Sequence, residues 1–329
     1  MATLVVGGGM VGSQAAAQLL KRGERTVVFD VAPNIAHLQT VLDPAAIKVV
    51  RGDILELAEL LDVIRSEGID RIIHTAGLLF DGVQRRPYAG TKINVVGTLN
   101  VVEAARLAGV RRVVFCSTGF VYHGLGSIPE GEPLDEDAPM RMVSERPTVF
   151  YAVSKLASEY IGLSYCQNYG LDFVVVRFYG VFGPWRGPVA GMPGRFMDQF
   201  ARPGARGETI WLNDPDLMWH GLGGAFVYAK DAAKATVLGA FAENPSTRVY
   251  NIGMARRYEF PELLEIVSRV FPASRVEMAP AVAERVAGKA RAGAGSPSIA
   301  RAQKELGYQP DYEVEPALQD YAAWLRANG

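Results

Sequence analysis

Cysteine is scarce. The 329 residues contain two, Cys116 and Cys166, so a disulfide framework is excluded and a reducing compartment, the cytoplasm, is expected. Histidine is scarce too. His37, His74, His123 and His220 show no paired ligand spacing, so no metal site is expected. An imbalance of charge is missing: 34 basic residues face 35 acidic ones, and the net charge of −1 leaves no electrostatic footprint for nucleic acid. Runs of like charge that would mark a tail or a membrane patch are absent as well. No apolar stretch reaches transmembrane length. The apolar first twenty residues lack a basic leader, and Gly7 to Gly12 would interrupt any signal helix. What remains is a chain that is 49% hydrophobic, ample for a packed core, and suited to a small-molecule substrate.

Short β-rich runs alternate with helical patterns through the first half. Strands are expected at Leu4–Val6, Arg25–Asp30, Ile47–Val50, Arg71–His74, Arg111–Ser117 and Phe173–Arg177. Helices are expected at Gly12–Arg22, Leu55–Glu67, Lys92–Leu107 and Val149–Asn168. The strands are continuous apolar runs, as when both faces of a sheet are covered. The alternation predicts an α/β fold with a doubly wound parallel sheet of the Rossmann kind. Two segments break the rhythm. Gly124–Pro147 reads as a loop over the site, and Gly183–Gly207 as a loop around a short helix near Arg195–Phe200. From Phe226 the chain returns to the sheet through a helix at Asp231–Ala242 and a strand at Arg248–Ile252. Helices near Glu259–Phe271, Ile299–Leu306 and Glu315–Ala327 then build a smaller C-terminal part. The division expected is residues 1–177 plus about 222–252 for a cofactor-binding domain, and about 178–221 plus 253–329 for a substrate-binding part.

Gly7-Gly8-Gly9-Met10-Val11-Gly12 carries G-x-G-x-x-G between a strand and a helix. Gly7 permits the tight turn, Gly9 lets the backbone approach a pyrophosphate, and Gly12 lets the helix pack on the strand. The diphosphate would rest on the free amides at the helix start, by Met10 and Val11. Glycine-rich turns are common, but Asp30 supports this one. It ends the second strand, where a carboxylate accepts from the adenosine ribose hydroxyls and repels a ribose phosphate, so NAD is expected over NADP. Asp53 follows the third strand, where it would either bond the adenine amino group, with Ile54 against the ring, or cap the next helix.

Tyr151 and Lys155 lie four apart on a predicted helix and share one face. A tyrosine of pKa about 10 is a poor base at neutral pH. A nearby ammonium and a positive nicotinamide ring would favour its phenolate, so Tyr151 is the candidate general base. Lys155 would also hold the nicotinamide ribose. Thr118, at the end of the strand Cys116-Ser117-Thr118, would orient the substrate oxygen, since strand C-terminal ends line the ligand crevice of such sheets. The alternatives are an amphipathic helix face and a turn hydroxyl.

With these residues in place, the chain resembles the NAD-dependent epimerase/dehydratase family, the extended short-chain dehydrogenases, along nearly all its length. The matching stretches are Val6–Gly12, Arg51–Ile54, His74–Gly77, Asn94–Thr98, Phe115–Gly124, Tyr151–Lys155, Arg177–Pro184, Phe226–Asp231 and Tyr250–Gly253. The resemblance implies that Ala76, Gly77 and Ser117 line the cofactor, that Asn94 supports the site, and that Tyr179 holds the nicotinamide end.

The departures concern the substrate. Dehydratases of the family carry an Asp-Glu pair after the catalytic Thr, where this chain has Gly119 and Phe120. Its sugar-nucleotide epimerases carry Asn where this chain has Gly180, and Arg just before the segment matching Phe226–Asp231, where it has Gly221–Ala225. Arg291 stands near the place of a second phosphate-binding arginine. Trp185, Arg186, Arg195, Trp219 and His220 fall in the region that shapes the substrate pocket of relatives, and suit a polar organic substrate or plain loop packing. The first expectation is therefore a net NAD-dependent dehydrogenase on a small hydroxyl compound. A nucleotide-sugar epimerase with tightly held NAD comes second, and a non-catalytic NAD-binding regulator third. The helices at Lys92–Leu107 and Val149–Asn168 have more apolar positions than one buried face needs, which predicts a homodimer paired through them, as in relatives.

Overall fold

The computed structural model describes residues 2–124, 133–138, 149–217, 224–243, 245–287 and 296–329. The strands β1 (Ala2–Val6), β2 (Arg25–Asp30), β3 (Lys48–Arg51), β4 (Ile69–His74), β5 (Arg112–Thr118) and β6 (Asp172–Phe178) come first. The next four are short: β7 (Val181–Phe182), β8 (Ile210–Leu212), β9 (Gly224–Ala225) and β10 (Val227–Tyr228). Then β11 (Val249–Ile252) rejoins the sheet, giving the order β11-β6-β5-β4-β1-β2-β3, with every pair parallel. The order reverses between β1 and β4, which opens a crevice at the strands' C-terminal ends. This is the doubly wound sheet expected from the sequence.

The helices are α1 (Met10–Lys21), α2 (Ile35–Val41), α3 (Leu57–Ser66), α4 (Phe80–Arg85), α5 (Pro87–Thr91), α6 (Gly97–Ala108), α7 (Phe150–Tyr169), α8 (Met192–Ala205) and α9 (Ala229–Phe241). They continue with α10 (Phe260–Val270), α11 (Pro280–Ala287), α12 (Ala300–Leu306) and α13 (Val314–Asn328). Neighbouring strand residues point to opposite faces, so Leu4, Val27, Ile72 and Val113 join one core while Val5, Val28, Ile73 and Val114 join the other. A third core, around Phe196, Phe200, Phe226, Tyr258 and Leu318, lies among α8, α10 and α13.

Two elements differ from expectation. The helix expected over Lys92–Leu107 is a π turn, Lys92–Val96, running into α6, with α5 leading into it. The helix near Arg195–Phe200 runs fourteen residues, as α8. Its prolines and glycines read as breakers in the sequence. In fact Pro193 sits in the first turn, where its missing N–H costs nothing, and Pro203 falls in the last turn. Phe196, Met197, Phe200 and Ala201 bury one face of α8 at helical spacing. Of the loop expected at Gly124–Pro147, the segment 133–138 is described, and Leu134 bridges to Pro297.

Candidate active site

The glycine loop is built for close approach. A Cβ on Gly12 would lie 1.9 Å from the carbonyl oxygen of Gly7, and one on Gly7 would lie 2.6 Å from the amide of Ala76. In front of Gly9 a Cβ would meet nothing within 4 Å, so that side is open for a ligand. Gly9 caps α1 without a side-chain bond, and no acidic residue occupies the first turn. The amides by Met10 and Val11 therefore suit a diphosphate. Asp30 accepts from the amides of Gly8 at 2.7 Å and Ala32 at 2.8 Å, which fixes its carboxylate beside the loop. The strand-end residues Thr75 and Ala76 both donate from their amides to the carbonyl of Val6. The donors, the open face and the carboxylate together fit a dinucleotide.

Asp53 and Ile54 each have a place within the fold itself. One oxygen of Asp53 closes a turn on the amide of Leu55 at 2.9 Å, and α3 starts later, after Glu56. Ile54 is 8% exposed and packs against Gly97 in the core.

Tyr151 neighbours Thr118, and Lys155 lies beside Cys116 and Gly77. The Thr118 side chain lies close enough to Tyr151 to draw its phenol pKa down. Thr118 Oγ1 also accepts from the amide of Phe120 at 3.1 Å. Lys155 Nζ donates to the carbonyl of Cys116 at 2.9 Å, and a Cβ on Gly77 would lie 3.6 Å from it. Burial pushes the Tyr151 phenol up to about 12, against the pull of Thr118, and pushes the Lys155 ammonium down to about 8. In the protein chain alone, desolvation therefore outweighs the help Tyr151 draws from Thr118. Asn94 fastens the group from the side. Its Oδ1 accepts from the amide of Leu78 at 2.8 Å, and its Nδ2 donates to Leu78 O and to Ser154 Oγ, both at 3.0 Å. The π turn frees the carbonyl of Asn94, which accepts from Thr98 and Ser158 hydroxyls.

Ser117 is 4% exposed, and its hydroxyl donates to Glu159, not toward the cofactor loop. The ring of Tyr179 backs the turn that follows Thr118, since a Cβ on Gly119 would lie 2.7 Å from its Cζ. Its hydroxyl is buried without a partner among the described residues. Phe120 packs edge-on against Phe80 of α4 with ring centroids 5.6 Å apart. The next residue, Asp81, pairs with Arg195 of α8 at 3.1 Å, so Arg195 reaches the rim of this site. Trp185 and Arg186 go elsewhere. The Trp185 ring lies 4.4 Å from His37, whose Nδ1 accepts from the amide of Arg186 at 3.2 Å. Asn34 Nδ2 donates to Arg186 O at 2.7 Å. Both residues are thus clamped to α2, beside the strand that ends at Asp30. Trp219 and His220 lie outside the described residues, as does Arg291.

Sequence reasoning missed a buried polar network under the turn that follows Thr118. Arg177 Nη2 bonds Glu159 at 2.6 Å and Nη1 bonds the Tyr122 hydroxyl at 2.6 Å. Tyr122 donates to Asn251 at 3.0 Å, and the amide of Asn251 donates to Glu136 at 2.7 Å. The available signal was an arginine inside the apolar run Phe173–Phe178, which demands a buried partner. No helix among the described residues is long and apolar enough to cross a membrane.

The sequence profile of the NAD dependent epimerase/dehydratase family matches residues 3–253. The UDP-glucose 4-epimerase of Corynebacterium glutamicum is 29% identical over 100% of this chain and 97% of its own length. UDP-glucuronate 4-epimerase 1 of Arabidopsis thaliana is 26% identical over 98% of this chain and 76% of its own. Among solved structures, UDP-glucose 4-epimerase of Thermus thermophilus in complex with NAD superposes with a TM-score of 0.79 at 28% identity, covering 99% of each chain.

Proposed function

The chain belongs to the NAD dependent epimerase/dehydratase family, and from that premise we propose that it is a nucleotide-sugar 4-epimerase with Tyr151 as its general base. Its cofactor is NAD, which when bound accepts a hydride from a carbinol carbon and can return it. Thr118 holds the sugar hydroxyl against Tyr151, which takes the proton as the carbon is oxidised. Lys155, on the same helix face, holds the nicotinamide ribose and adds the positive charge that Tyr151 needs to ionise. Burial alone holds that phenol near 12, so the reaction waits on charge brought with the cofactor. Tyr151 gives the proton back as the carbinol re-forms, with inverted configuration, from the returned hydride.

The observation that carries this reading is the placement of Tyr151 by Thr118 and of Lys155 by Gly77, in a chain alignable end to end with 4-epimerases. The absence of Asn at Gly180 and of Arg before Phe226 placed a dehydrogenase first on sequence grounds, because a diphosphate needs donors. The helix α8 supplies candidates. Arg195 Nε and Gln199 Nε2 are buried donors four residues apart, without partners among the described residues. We assign them to the substrate diphosphate, and this moves the epimerase ahead. A dehydratase remains disfavoured, because a side chain at Gly119 would strike the Tyr179 ring.

The strand-and-helix part through 177, with about 222–252, serves the cofactor in this reading, and the remainder serves the sugar nucleotide. We infer a cytoplasmic homodimer. Among the described residues, eight of the twelve exposed large hydrophobics lie on 88–107 and 150–169, including Tyr88, Leu107, Phe150, Val153 and Tyr160. A second copy pairing these helices would cover them. Incubation with UDP-glucose and UDP-glucuronate tests the activity. The 4-epimers forming without net NADH support it. NADH accumulating on small hydroxy compounds alone would return the dehydrogenase to first place, and neither outcome would favour the regulator.

A further inference from the structure

Glu159 is 1% exposed and one helical turn beyond Lys155, yet the proposed reaction has no use for a carboxylate there. Tyr151, Lys155 and Glu159 form one stripe along α7, spaced by four. Glu159 is gripped from two strands. From β5, the Ser117 hydroxyl donates to it, one residue before Thr118. From β6, Arg177 closes on it as a fork, with Nε 3.1 Å from both carboxylate oxygens and Nη2 at 2.6 Å. The side chains of this pair are 6% and 2% exposed.

We propose that Glu159 and Arg177 are positioning residues for the catalytic group: the fork locks the Ser117–Thr118 end of β5 to the Tyr151–Lys155 face of α7, and its balanced charge sets the pH at which Tyr151 ionises. The proposal rests on the reading of Tyr151 as proton acceptor. Two turns of helix separate Glu159 from Tyr151, about 12 Å at 1.5 Å per residue. A unit charge at that range, through an effective dielectric of about 20, moves a pKa by about one unit. With Arg177 in place the two charges nearly cancel. Without Glu159, the guanidinium would act alone on the phenol.

Other groups surround the pair from every side. Cys116 of β5 and Lys155 of α7 face the stripe, and His74 of β4 feels Lys155. The Tyr122 hydroxyl accepts from Arg177, and the buried Tyr179, just past β6, lies within their field. Glu136 receives the Asn251 amide of β11, lends its carbonyl to Arg177 at 3.3 Å, and has Arg301 of α12 at 3.6 Å. None of these compensates a charge left over at Arg177, because the Glu136 carboxylate is already turned to Asn251 and Arg301.

The test is the ionisation of Tyr151 in NAD-loaded enzyme, read from the near-ultraviolet phenolate band after subtracting Tyr151→Phe. It needs no sugar. Glu159→Gln should ionise Tyr151 about one unit lower in pH. The double variant Glu159→Gln/Arg177→Gln, which removes both charges, should return to within a few tenths of wild type. An unmoved band in Glu159→Gln, or a double variant that stays with the single one, overturns the proposal. If Glu159→Gln does not fold, the double variant decides alone: a midpoint about one unit away from wild type overturns it. Should the band move as expected while no sugar nucleotide is epimerised, the substrate reading falls and this inference stands. Should epimerisation proceed with the same pH profile in wild type and Glu159→Gln, this inference falls alone.

Discussion

His37 offers a prediction whose sign and size both come from its surroundings. The ring is 0% exposed, with Ser13 Oγ 3.0 Å from Nε2 and the Arg186 amide donating to Nδ1 at 3.2 Å. An amide can only donate, so Nδ1 must be unprotonated and the ring neutral. Burial holds its pKa down at about 4, against an ordinary value of 6.5. The unfolded chain therefore binds the proton first as pH falls. The stability tied to the neutral ring is fully present above about pH 6.5 and is lost as pH drops toward 4. At pH 5 the loss from this one group comes to about 2 kcal/mol. Wild type will show a composite, because His74 is held down at about 3 and adds to the loss, while Asp231 is held up at about 6 and opposes it. A difference measurement removes both. His37→Gln should be less stable than wild type in urea melts at pH 7.5, since the Trp185–Arg186 clamp is weakened. By pH 5 the gap should narrow by about 2 kcal/mol. A gap constant to within about 0.5 kcal/mol would refute a neutral, buried His37 and the clamp with it.

Tyr151→Phe should bind NAD as wild type does and lose about 10²- to 10⁴-fold in turnover, measured on the epimerised sugar. NADP should bind more weakly than NAD, and Asp30→Asn should narrow that gap by about tenfold, read by cofactor titration. Arg195→Ala should raise KM for the sugar nucleotide by about tenfold or more with NAD affinity unchanged, as expected for a lost charge-assisted bond. Leu99→Glu with Tyr160→Glu should halve the mass seen by light scattering, if α6 and α7 pair with their copies.

The sheet, the glycine turn and the shared helix face of Tyr151 and Lys155 were legible because local pattern carries them. Continuous apolar runs name strands covered on both sides, a glycine triplet names the phosphate turn, and a spacing of four places Tyr151 and Lys155 together. The places where the sequence misled depend on docking between distant segments. Nothing local to Trp185 and Arg186 tells that Asn34 and His37 will seize their backbone. Ile54 looks equally fit for an adenine ring or for the space beside Gly97. Ser117 carries the right residue type at the strand end, but a carboxylate 42 residues away claims its hydroxyl. The length of α8 was hidden by prolines that happen to fall in its first and last turns.

The π turn at Lys92–Val96 makes this stretch of chain sensitive to counting. One residue more than an α-helix would use is wound into the segment, and everything after it is rotated by about 100° relative to an uninterrupted helix. Deleting any single residue there would leave a smoother helix of better local geometry. It would also swing Asn94 off Leu78 and Ser154, or turn Val101, Val102 and Ala105 of α6 out of the core they now fill. An alignment that closes a one-residue gap in this segment would therefore equate side chains about 100° apart around the helix. The same caution applies to redesign: the extra residue is a spacer between the cofactor site and the outward face of α6, and shortening it changes both at once.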